Sequence, residues 1–565
     1  MSVKNARKIG FWSALSVSLG SVIGIGIFLK NGSIMRNIAS GDGQVNFIAL
    51  LIAWIVGALI SLCAAYSFSE VATSRHSKSG LAGWIEALGG RKQGLFIKVL
   101  HCTVYYVLFI ACLPTIAVEG LFQAIDTNNS VHIGYIFLCG VGLIIFIGLM
   151  NFFALKASGK MQFIGTITKL VPLVLAIVVG LIGANKTHIL NNPAMIENPV
   201  NNVGVPVYAT STTSSFDVSS LFLALPSILF AFDSFLCVGN LATEMDKPEK
   251  KVPIVAVITI IAAAIVYILI AIGSGLTGLG SVGEILKTLT TNTQIQNDLA
   301  IAVNVFITVS AIIVINGMSM AFLKSCEGLV AAKHIMFYQF FQKLRIGKHE
   351  AGGFALYWIL TIFYMLLLGI PSVVLNDDAV FDAATNAPVV IVFLIYAYAC
   401  GLGIYDRYKQ RNRCVHVKGF LVAASIAIIL ILVLFFEVTI YDNIVKVAMN
   451  PYGNSSDGLF YSTAGVWKNI DHTILFWAIF IWAAVLPTIN YFVLKKDSEK
   501  TGNNKEFFVK YKFNWKEAFK KGDKNNNLPI NLNNSVSVVP HPSVNKNQFK
   551  QVYVKKFRKP AKVLD

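Results

Sequence analysis

Charged residues are scarce in this sequence. Asp, Glu, Lys and Arg make up 13% of the 565 residues, whereas a soluble globular domain carries about 25%. Hydrophobic residues make up 55%, and the mean hydropathy is +0.65. Uncharged apolar runs recur along the chain, and about 20 such residues suffice for a helix to cross the hydrocarbon core of a bilayer. The composition therefore predicts an all-α integral membrane protein with many spans.

Motifs of enzymatic or ATP-driven chemistry are also missing. No GxxxxGK[ST] loop occurs, so the chain has no Walker nucleotide site of its own. Of the nine histidines only His101 lies clearly within a predicted span, which excludes paired haem ligands. The eight cysteines form no CxxC pair, so buried reduced thiols are expected rather than disulfides. We predict that the protein is not an enzyme and has no cofactor and no metal.

Twelve membrane spans are predicted from the apolar runs. They cover residues 9–29, 47–67, 95–118, 133–153, 161–184, 219–239, 252–275, 299–322, 354–374, 387–405, 417–437 and 473–494. With the N-terminus inside, the inner segments hold 23 Lys and Arg residues when Lys98 and Lys418 at the inner ends of their spans are included, and the outer loops hold 6. Positive charge marks cytoplasmic loops, so both termini are predicted to be cytoplasmic.

The last part of the chain, residues 495–565, has a different composition. It is rich in Lys and Asn, contains Pro540, Pro542 and Pro560, and has no sustained periodicity. We predict a basic, largely disordered cytoplasmic tail that contacts anionic lipid, and we do not expect nucleic acid as a partner. The richness in Lys, Asn and Ile is typical of an AT-rich bacterial coding sequence, which favours a bacterial cell membrane. The domain boundary is therefore placed between residues 494 and 495.

The first span is poorly suited to a continuous helix. Its second half contains Gly20, Ser21, Gly24 and Gly26, and each glycine costs roughly 1 kcal/mol relative to alanine inside a helix. Unwound backbone at membrane depth is tolerated only where it is packed in protein or lines a cavity. The alternative is that these glycines let two intact helices pack closely.

Five stretches of the sequence resemble the amino acid–polyamine–organocation (APC) superfamily of transporters. These are Gly20 to Phe28, Glu70 followed by Ser79-Gly80, Gly89-Gly90, Asn151 to Pro172, and Phe230 to Pro253. Each is weak alone, but together they occur in the family's order on the expected spans.

The resemblance implies a LeuT-type fold, in which residues 9–184 and 219–405 form inverted repeats of five spans each. Residues 417–437 and 473–494 would be two extra helices of the transporter domain, residues 1–494. Spans 1 and 6 would be discontinuous and hold the substrate between them. The implied function is secondary active transport of amino acids by alternating access, either proton-coupled or exchanging. Polyamine or organic-cation transport and a non-transporting nutrient receptor remain alternatives, and the oligomeric state is left open.

The resemblance also implies where a zwitterionic amino acid would bind. The N–H groups of Gly24, Ile25 and Gly26 would receive the carboxylate, because a helix N-terminus carries a positive partial charge. The amino group would lie near the carbonyls of Gly20, Phe230 and Ala231. Many family members have serine at the position of Ile25, so one hydroxyl contact to the carboxylate is missing here.

Asp233 is the most distinctive residue of span 6. An acidic side chain at mid-membrane costs about 2.5–3.5 kcal/mol on insertion scales, so a role in function is expected. Asp233 either meets a cationic group of the substrate, or titrates during transport, or, together with Ser234, caps the outer half of the helix. The neighbouring aromatic residues Phe230 and Phe232 are candidates for gates over the substrate, with ordinary packing as the alternative.

Lys169 is a second charged residue placed well inside a predicted span. It resembles a lysine that, in proton-coupled or exchanging family members, occupies the position of a sodium ion between helices one and eight. Its charge would then join the region of Gly20 to span 8, where Asn316 and Ser319 offer polar groups, with close helix packing as the alternative for these two residues. The alternative is that Lys169 snorkels to the nearby membrane surface.

Overall fold

The computed structural model describes residues 10–39, 44–74, 80–125, 131–187, 209–212, 216, 218–236, 248–280, 282–287, 290, 292–347, 349–408, 417–453, 455 and 466–502. Residues 1–508 form one compact unit and residues 509–565 form a second. Every described residue belongs to the first unit. The predicted basic tail, from residue 503 onward, lies outside the described residues.

Twelve apolar segments follow one another along the described chain, and they are numbered here as spans 1 to 12. Their helices are Phe11–Val22 and Ile25–Ile38 (span 1), Phe47–Ser74 (span 2), Arg91–Leu100, the π-helix His101–Tyr106 and Val107–Ile125 (span 3), Ile133–Phe153 (span 4), Leu155–Thr168 and Leu170–Thr187 (span 5), and Val218–Phe232 (span 6). The second half continues with Pro248–Thr277 (span 7), Thr293–Ala331 (span 8), Gly352–Leu375 (span 9), Ala379–Tyr408 (span 10), Phe420–Phe436, the π-helix Glu437–Val445 and Lys446–Met449 (span 11), and Asn469–Thr501 (span 12).

Short elements connect these spans. Three further helices cover Gly80–Gly89, Val282–Lys287 and Tyr338–Phe341. Strand Gln44–Asn46 pairs in parallel with Ala209–Ser211, which ties the loop after span 1 to the loop before span 6. Strand Arg345–Ile346 pairs antiparallel with His349–Glu350.

The predicted all-α membrane fold is confirmed. Ten helical stretches in the described chain are long and apolar enough to cross a bilayer, and spans 1 and 6 are represented by shorter apolar helices. Large apolar side chains such as Phe146, Ile265 and Val374 are 57% to 78% exposed, which a lipid environment explains. The protein is therefore a multi-pass membrane protein. Several predicted boundaries were too tight. For example, span 10 begins at Ala379 and span 12 continues to Thr501.

The first three spans of each half pack against their counterparts in the other half. Span 1 lies against span 6, span 2 against span 7, and span 3 against span 8. A two-fold axis between two five-span halves requires this arrangement, because equivalent helices near such an axis become neighbours. The packing places the middle of spans 1 and 6 side by side at the centre of the bundle.

Because twelve spans alternate in direction, residues 10 and 502 lie on the same face of the bundle. This face is called the N-terminal face. The loops after span 1 and before span 6 lie on the opposite face.

Candidate functional site

Span 1 is interrupted at Ile23 and Gly24. The first helix ends as Ile23 N–H donates to Leu19 O at 2.8 Å, and Gly24 has φ −129° and ψ −144°, outside the helical region. The second helix begins at Ile25 without a side-chain cap. The first N–H groups of a helix have no partner within the helix. The interruption therefore presents N–H donors and a positive helix end in the middle of the bundle.

The described helix of span 6 ends beside the interruption of span 1, and this end is called the interruption of span 6 below. The helix ends at Phe232, and Ser234 follows with φ 68° in the left-handed region. A residue other than glycine adopts that conformation only at a cost of roughly 1 kcal/mol or more. Residues 237–247 lie outside the described residues, so the other half of the predicted broken helix is not described.

The two interruptions touch each other, and glycine is what permits this. A Cβ atom on Gly26 would lie 2.6 Å from Cα of Ala231, and one on Gly24 would lie 2.8 Å from Cγ2 of Val314. Real Cβ atoms do not approach other heavy atoms so closely. Gly26 therefore permits the close approach of spans 1 and 6 at their interruptions, whereas Gly24 makes room for Val314 of span 8.

A cavity of about 330 Å³ lies between the interruptions. Its wall includes the predicted residues Gly24, Gly26, Phe230, Asp233 and Ser234, together with Ser21, Val22, Phe109, Leu113, Val314 and Met318. The last four lie on spans 3 and 8, and the sequence analysis did not identify them. They look like ordinary apolar residues of a helix, and only the packing of spans 1, 3, 6 and 8 brings them together.

Four predicted binding residues do not line this cavity. Phe232 is fully buried against Trp54 and Tyr267, with ring centroids 6.1 and 5.1 Å away. Its placement supports packing rather than a gate. Gly20 and Ala231 lie behind the cavity wall, where their carbonyls accept hydrogen bonds. Ile25 is the first residue of the second helix.

Asp233 is held by two tyrosines. The hydroxyl of Tyr105 on span 3 donates to Oδ2 at 2.5 Å, and that of Tyr396 on span 10 donates to Oδ1 at 3.2 Å. The predicted cap of the outer half of span 6 is wrong, since Asp233 follows the C-terminus of the helix Val218–Phe232. A carboxylate caps the N–H groups of a helix N-terminus, not the carbonyls of a C-terminus.

The carbonyls at the ends of both interrupted helices already have donors. Lys169 Nζ donates to Gly20 O. The hydroxyl of Tyr267 on span 7 lies 2.7 Å from Val22 O and 3.0 Å from Ala231 O. Tyr267 therefore joins the two interruptions from behind. All three carbonyls predicted to receive the substrate amino group lie within hydrogen-bond distance of a protein donor, since Phe230 O accepts from Asp233 N–H at 3.4 Å.

Lys169 lies in a one-residue gap between the helices Leu155–Thr168 and Leu170–Thr187. It is 1% exposed, so it does not snorkel to the membrane surface. Its contact with Gly20 is at the place that the family resemblance implies.

Asn316 and Ser319 of span 8 contact residues other than Lys169, and their contacts favour the alternative of helix packing. Ser158 Oγ donates to Asn316 Oδ1 at 2.9 Å, and Asn151 Nδ2 donates to Ser319 Oγ at 3.1 Å. The partners lie on spans 4 and 5, because neighbouring helices offered these fully buried side chains closer polar groups. The two residues hold span 8 to its neighbours.

A second buried lysine, Lys30, was missed by the sequence analysis. It lies in the helix Ile25–Ile38, 2% exposed, and forms an ion pair with Asp382 of span 10. It also donates to Thr385 Oγ1 at 2.9 Å and Asn386 Oδ1 at 3.1 Å. The predicted boundaries placed Lys30 and Asp382 in loops. The spacing of Asp382, Thr385 and Asn386, at i, i+3 and i+4, was an available signal that they share one helix face.

The chain has the signature of a known family. A family model described as "Amino acid permease" matches residues 9–468. The chain belongs to the amino acid permease family. It is accordingly an amino acid transporter of the APC superfamily and not an enzyme.

This permease is similar to several curated proteins. It is 24% identical over 419 residues to the "Serine/threonine exchanger SteT" of Bacillus subtilis, covering 73% of this chain and 86% of that protein. It is 24% identical over 283 residues to the "Glutamate/serine transporter AimA" of Bacillus subtilis, covering 47% of each chain. It is 23% identical over 267 residues to the "Amino acid transporter protein 6" of Caenorhabditis elegans, covering 46% of this chain and 47% of that one.

A solved structure is also similar to the permease. The structure of MhsT in complex with L-phenylalanine aligns with a TM-score of 0.48 and 15% identity, covering 77% of this chain and 100% of that one.

Proposed function

We propose that this permease moves a neutral amino acid across the cell membrane by alternating access, with its N-terminal face in the cytoplasm. The cavity between the interruptions of spans 1 and 6 carries the proposal. It brings the uncapped start of the helix Ile25–Ile38 and the carboxylate of Asp233 to one space. The excess of Lys and Arg in the predicted inner loops supports the orientation, and the sequence composition supports a bacterial membrane.

The substrate carboxylate binds at the start of the helix Ile25–Ile38. Gly24 and Gly26 line the cavity, and the helix begins between them without a side-chain cap. The backbone N–H groups of Gly24, Ile25 and Gly26 would satisfy an anion there without any side-chain charge.

The substrate ammonium faces Asp233. Gly20 O and Ala231 O already accept donors from the protein, whereas the carboxylate of Asp233 is a charged acceptor on the cavity wall. The hydroxyls of Tyr105 and Tyr396 fix its orientation. Asp233 therefore acts as the binding group for the amino end of the substrate.

The side chain of the substrate meets an apolar wall formed by Phe109, Leu113, Val314 and Met318. This lining favours a small neutral side chain over a charged one. Two of the similar proteins carry serine in their names, so L-serine is the first substrate to test. Exchange is the proposed mode, with protonation of Lys169 as the alternative source of coupling.

A thermal-shift screen of the purified full-length protein tests the proposal. The ligands are the twenty amino acids, putrescine and spermidine, since a ligand that binds the folded state stabilises it by RT ln(1 + [L]/Kd). We expect neutral amino acids to raise Tm, and Asp233→Asn to abolish the rise. Asp406→Asn is the matched control, because Asp406 is also buried but does not line the cavity.

Counterflow of L-serine in proteoliposomes then separates a carrier from a receptor. Uptake of labelled serine against an internal pool of unlabelled serine is expected. Stabilisation by putrescine or spermidine alone would instead favour the polyamine carrier. Binding without counterflow would leave a receptor.

A further inference from the structure

A second and larger cavity lies near the opposite face of the bundle. Its space of about 570 Å³ is partly open to the surroundings. The halves of spans 1 and 6 that lead toward this face supply Asn37, Leu223 and Ser227, and span 10 supplies Asn386. Most of the remaining wall comes from spans 11 and 12 and the segment between them. The cavity thus lies between the ten-span core and the two extra helices, apart from the cavity at the interruptions.

Its polar lining has one group of each charge. Asp442 and Lys446 form an ion pair of 3.3 Å on the outer part of span 11, with side chains 18% and 33% exposed. Asn386 and Asn469 add amide groups, and Thr473 adds a hydroxyl. A partly exposed ion pair contributes little stability. A ligand that carries both charges can therefore replace the pair, with one of its charges on Asp442 and the other on Lys446.

The rest of the wall is apolar. Leu223, Pro226, Val390, Val438 and Phe476 line it. Charged groups at one end and apolar groups around them match a small zwitterion with an aliphatic part.

Asn386 connects this cavity to the buried ion pair of span 1. Its side-chain oxygen accepts from Lys30 Nζ at 3.1 Å, and the residue also lines the cavity. Lys30 in turn lies 5.1 Å from the ring centroid of Phe230, which lines the mid-membrane cavity. An occupant of the larger cavity is therefore two side chains away from the proposed transport site.

We propose that this cavity is a second binding site for a free amino acid, with Asp442 receiving the ammonium and Lys446 the carboxylate. The choice of an amino acid as ligand rests on the proposed function. The site would hold a substrate molecule beside the Lys30–Asp382 pair before it reaches the interruptions of spans 1 and 6.

Saturation binding of L-[³H]serine to the purified full-length protein in dodecyl maltoside tests the proposal. This detergent has no charged group, so it cannot occupy the site in place of serine. We expect two bound equivalents in the unmodified protein and one in Thr473→Trp, whose indole would fill the cavity. Ile474→Trp is the matched control, because Ile474 is next in sequence, 62% exposed and absent from the cavity wall.

A charge variant tests the site without filling it. Lys446→Gln should weaken the affinity of one equivalent about tenfold, as expected for the loss of one charged contact, and should leave the other unchanged. Asp233→Asn should remove the equivalent bound at the interruptions. The double variant Thr473→Trp/Asp233→Asn should bind no serine.

The outcomes separate this inference from the proposed function. One equivalent in the unmodified protein, removed by Asp233→Asn and kept in Thr473→Trp, would overturn the second site and leave the transport site intact. One equivalent removed only by Thr473→Trp would support the second site and contradict the assignment of Asp233. No binding of serine at all would overturn the second site as proposed, and the thermal-shift screen would then decide the proposed function alone.

Discussion

Lys30 and Lys169 lie on opposite sides of the interruption in span 1, both almost completely buried. Lys30 is part of the helix after the interruption and forms an ion pair with the carboxylate of Asp382. Lys169 comes from span 5 and donates to the carbonyl of Gly20 in the last turn of the helix before the interruption. One lysine thus contacts a full countercharge, and the other contacts the negative end of a helix.

This difference shows two ways of placing a cation inside a membrane protein. A buried ion pair depends on both partners, so removing one leaves an uncompensated charge. A lysine at a helix C-terminus depends on peptide groups that remain after any side-chain substitution. We therefore expect the Lys30 region to be the more sensitive to mutation, and the following experiments test that order.

The largest effect is expected for Lys30→Met. The variant leaves the carboxylate of Asp382 buried without its ammonium, which typically costs about 3–5 kcal/mol. The double variant Lys30→Met/Asp382→Leu should recover most of the lost stability. Thermal unfolding of the purified protein measures this. Equal Tm values for the single and double variants would show that the pair does not behave as a coupled unit.

A smaller loss of stability is expected for Lys169→Met. The substitution leaves the carbonyl of Gly20 without its donor. Because this group is neutral, the loss in free energy of unfolding should be about 1–3 kcal/mol. The loss of serine uptake should exceed what the loss of stability accounts for, because Lys169 holds the helix beside the binding cavity. Lys160→Met is the control, since Lys160 is an exposed lysine of the same span. A Tm loss larger than that of Lys30→Met would reverse the comparison.

Tyr267→Phe tests whether the carbonyl ends of the interruptions need a donor. The substitution removes the hydroxyl that lies within hydrogen-bond distance of Val22 O and Ala231 O, at a cost of about 1–2 kcal/mol. Tyr357→Phe is the control, because its hydroxyl contacts Ser319 at 2.9 Å, away from the cavity. Both variants should lower Tm by similar amounts, but only Tyr267→Phe should weaken serine binding. Unchanged serine affinity in Tyr267→Phe would show that Tyr267 has a purely structural role.

His334 gives an effect that appears only on acidification, and it shows a third way of burying a basic group. It lies after span 8, outside the spanning helices, where burial and the nearby Lys98 lower its pKa from 6.5 to about 4. Between pH 6.5 and 4 the unfolded chain binds a proton that the folded protein does not. The associated stability is therefore fully present above pH 6.5 and is lost as the pH falls toward 4, by at most about 3 kcal/mol.

The measurement is Tm as a function of pH for the unmodified protein and for His334→Gln. The unmodified protein should lose more stability on acidification from pH 7 to 4.5 than the variant does. Parallel curves would show that His334 does not contribute to the pH dependence.

Sequence patterns were sufficient for the spans and for the interruption in span 1. Apolar runs of the required length, and glycines in an otherwise apolar helix, are local features that neighbours along the chain already define. The ion pair of Lys30 and Asp382 was not found, because its partners are more than 350 positions apart in sequence. The sequence left two alternatives open for Asn316 and Ser319 for a related reason, since the direction of a helical side chain depends on which helices pack against it.

The sequence by itself determined that this chain crosses a membrane many times and that span 1 cannot be one regular helix. Both follow from short-range physics, namely the cost of burying charge in lipid and the cost of glycine within a helix. Only the tertiary structure decided which groups surround the cavity and which carbonyls already have donors. Those contacts join spans 1, 3, 5, 6, 7, 8 and 10, and no local pattern specifies how distant helices meet.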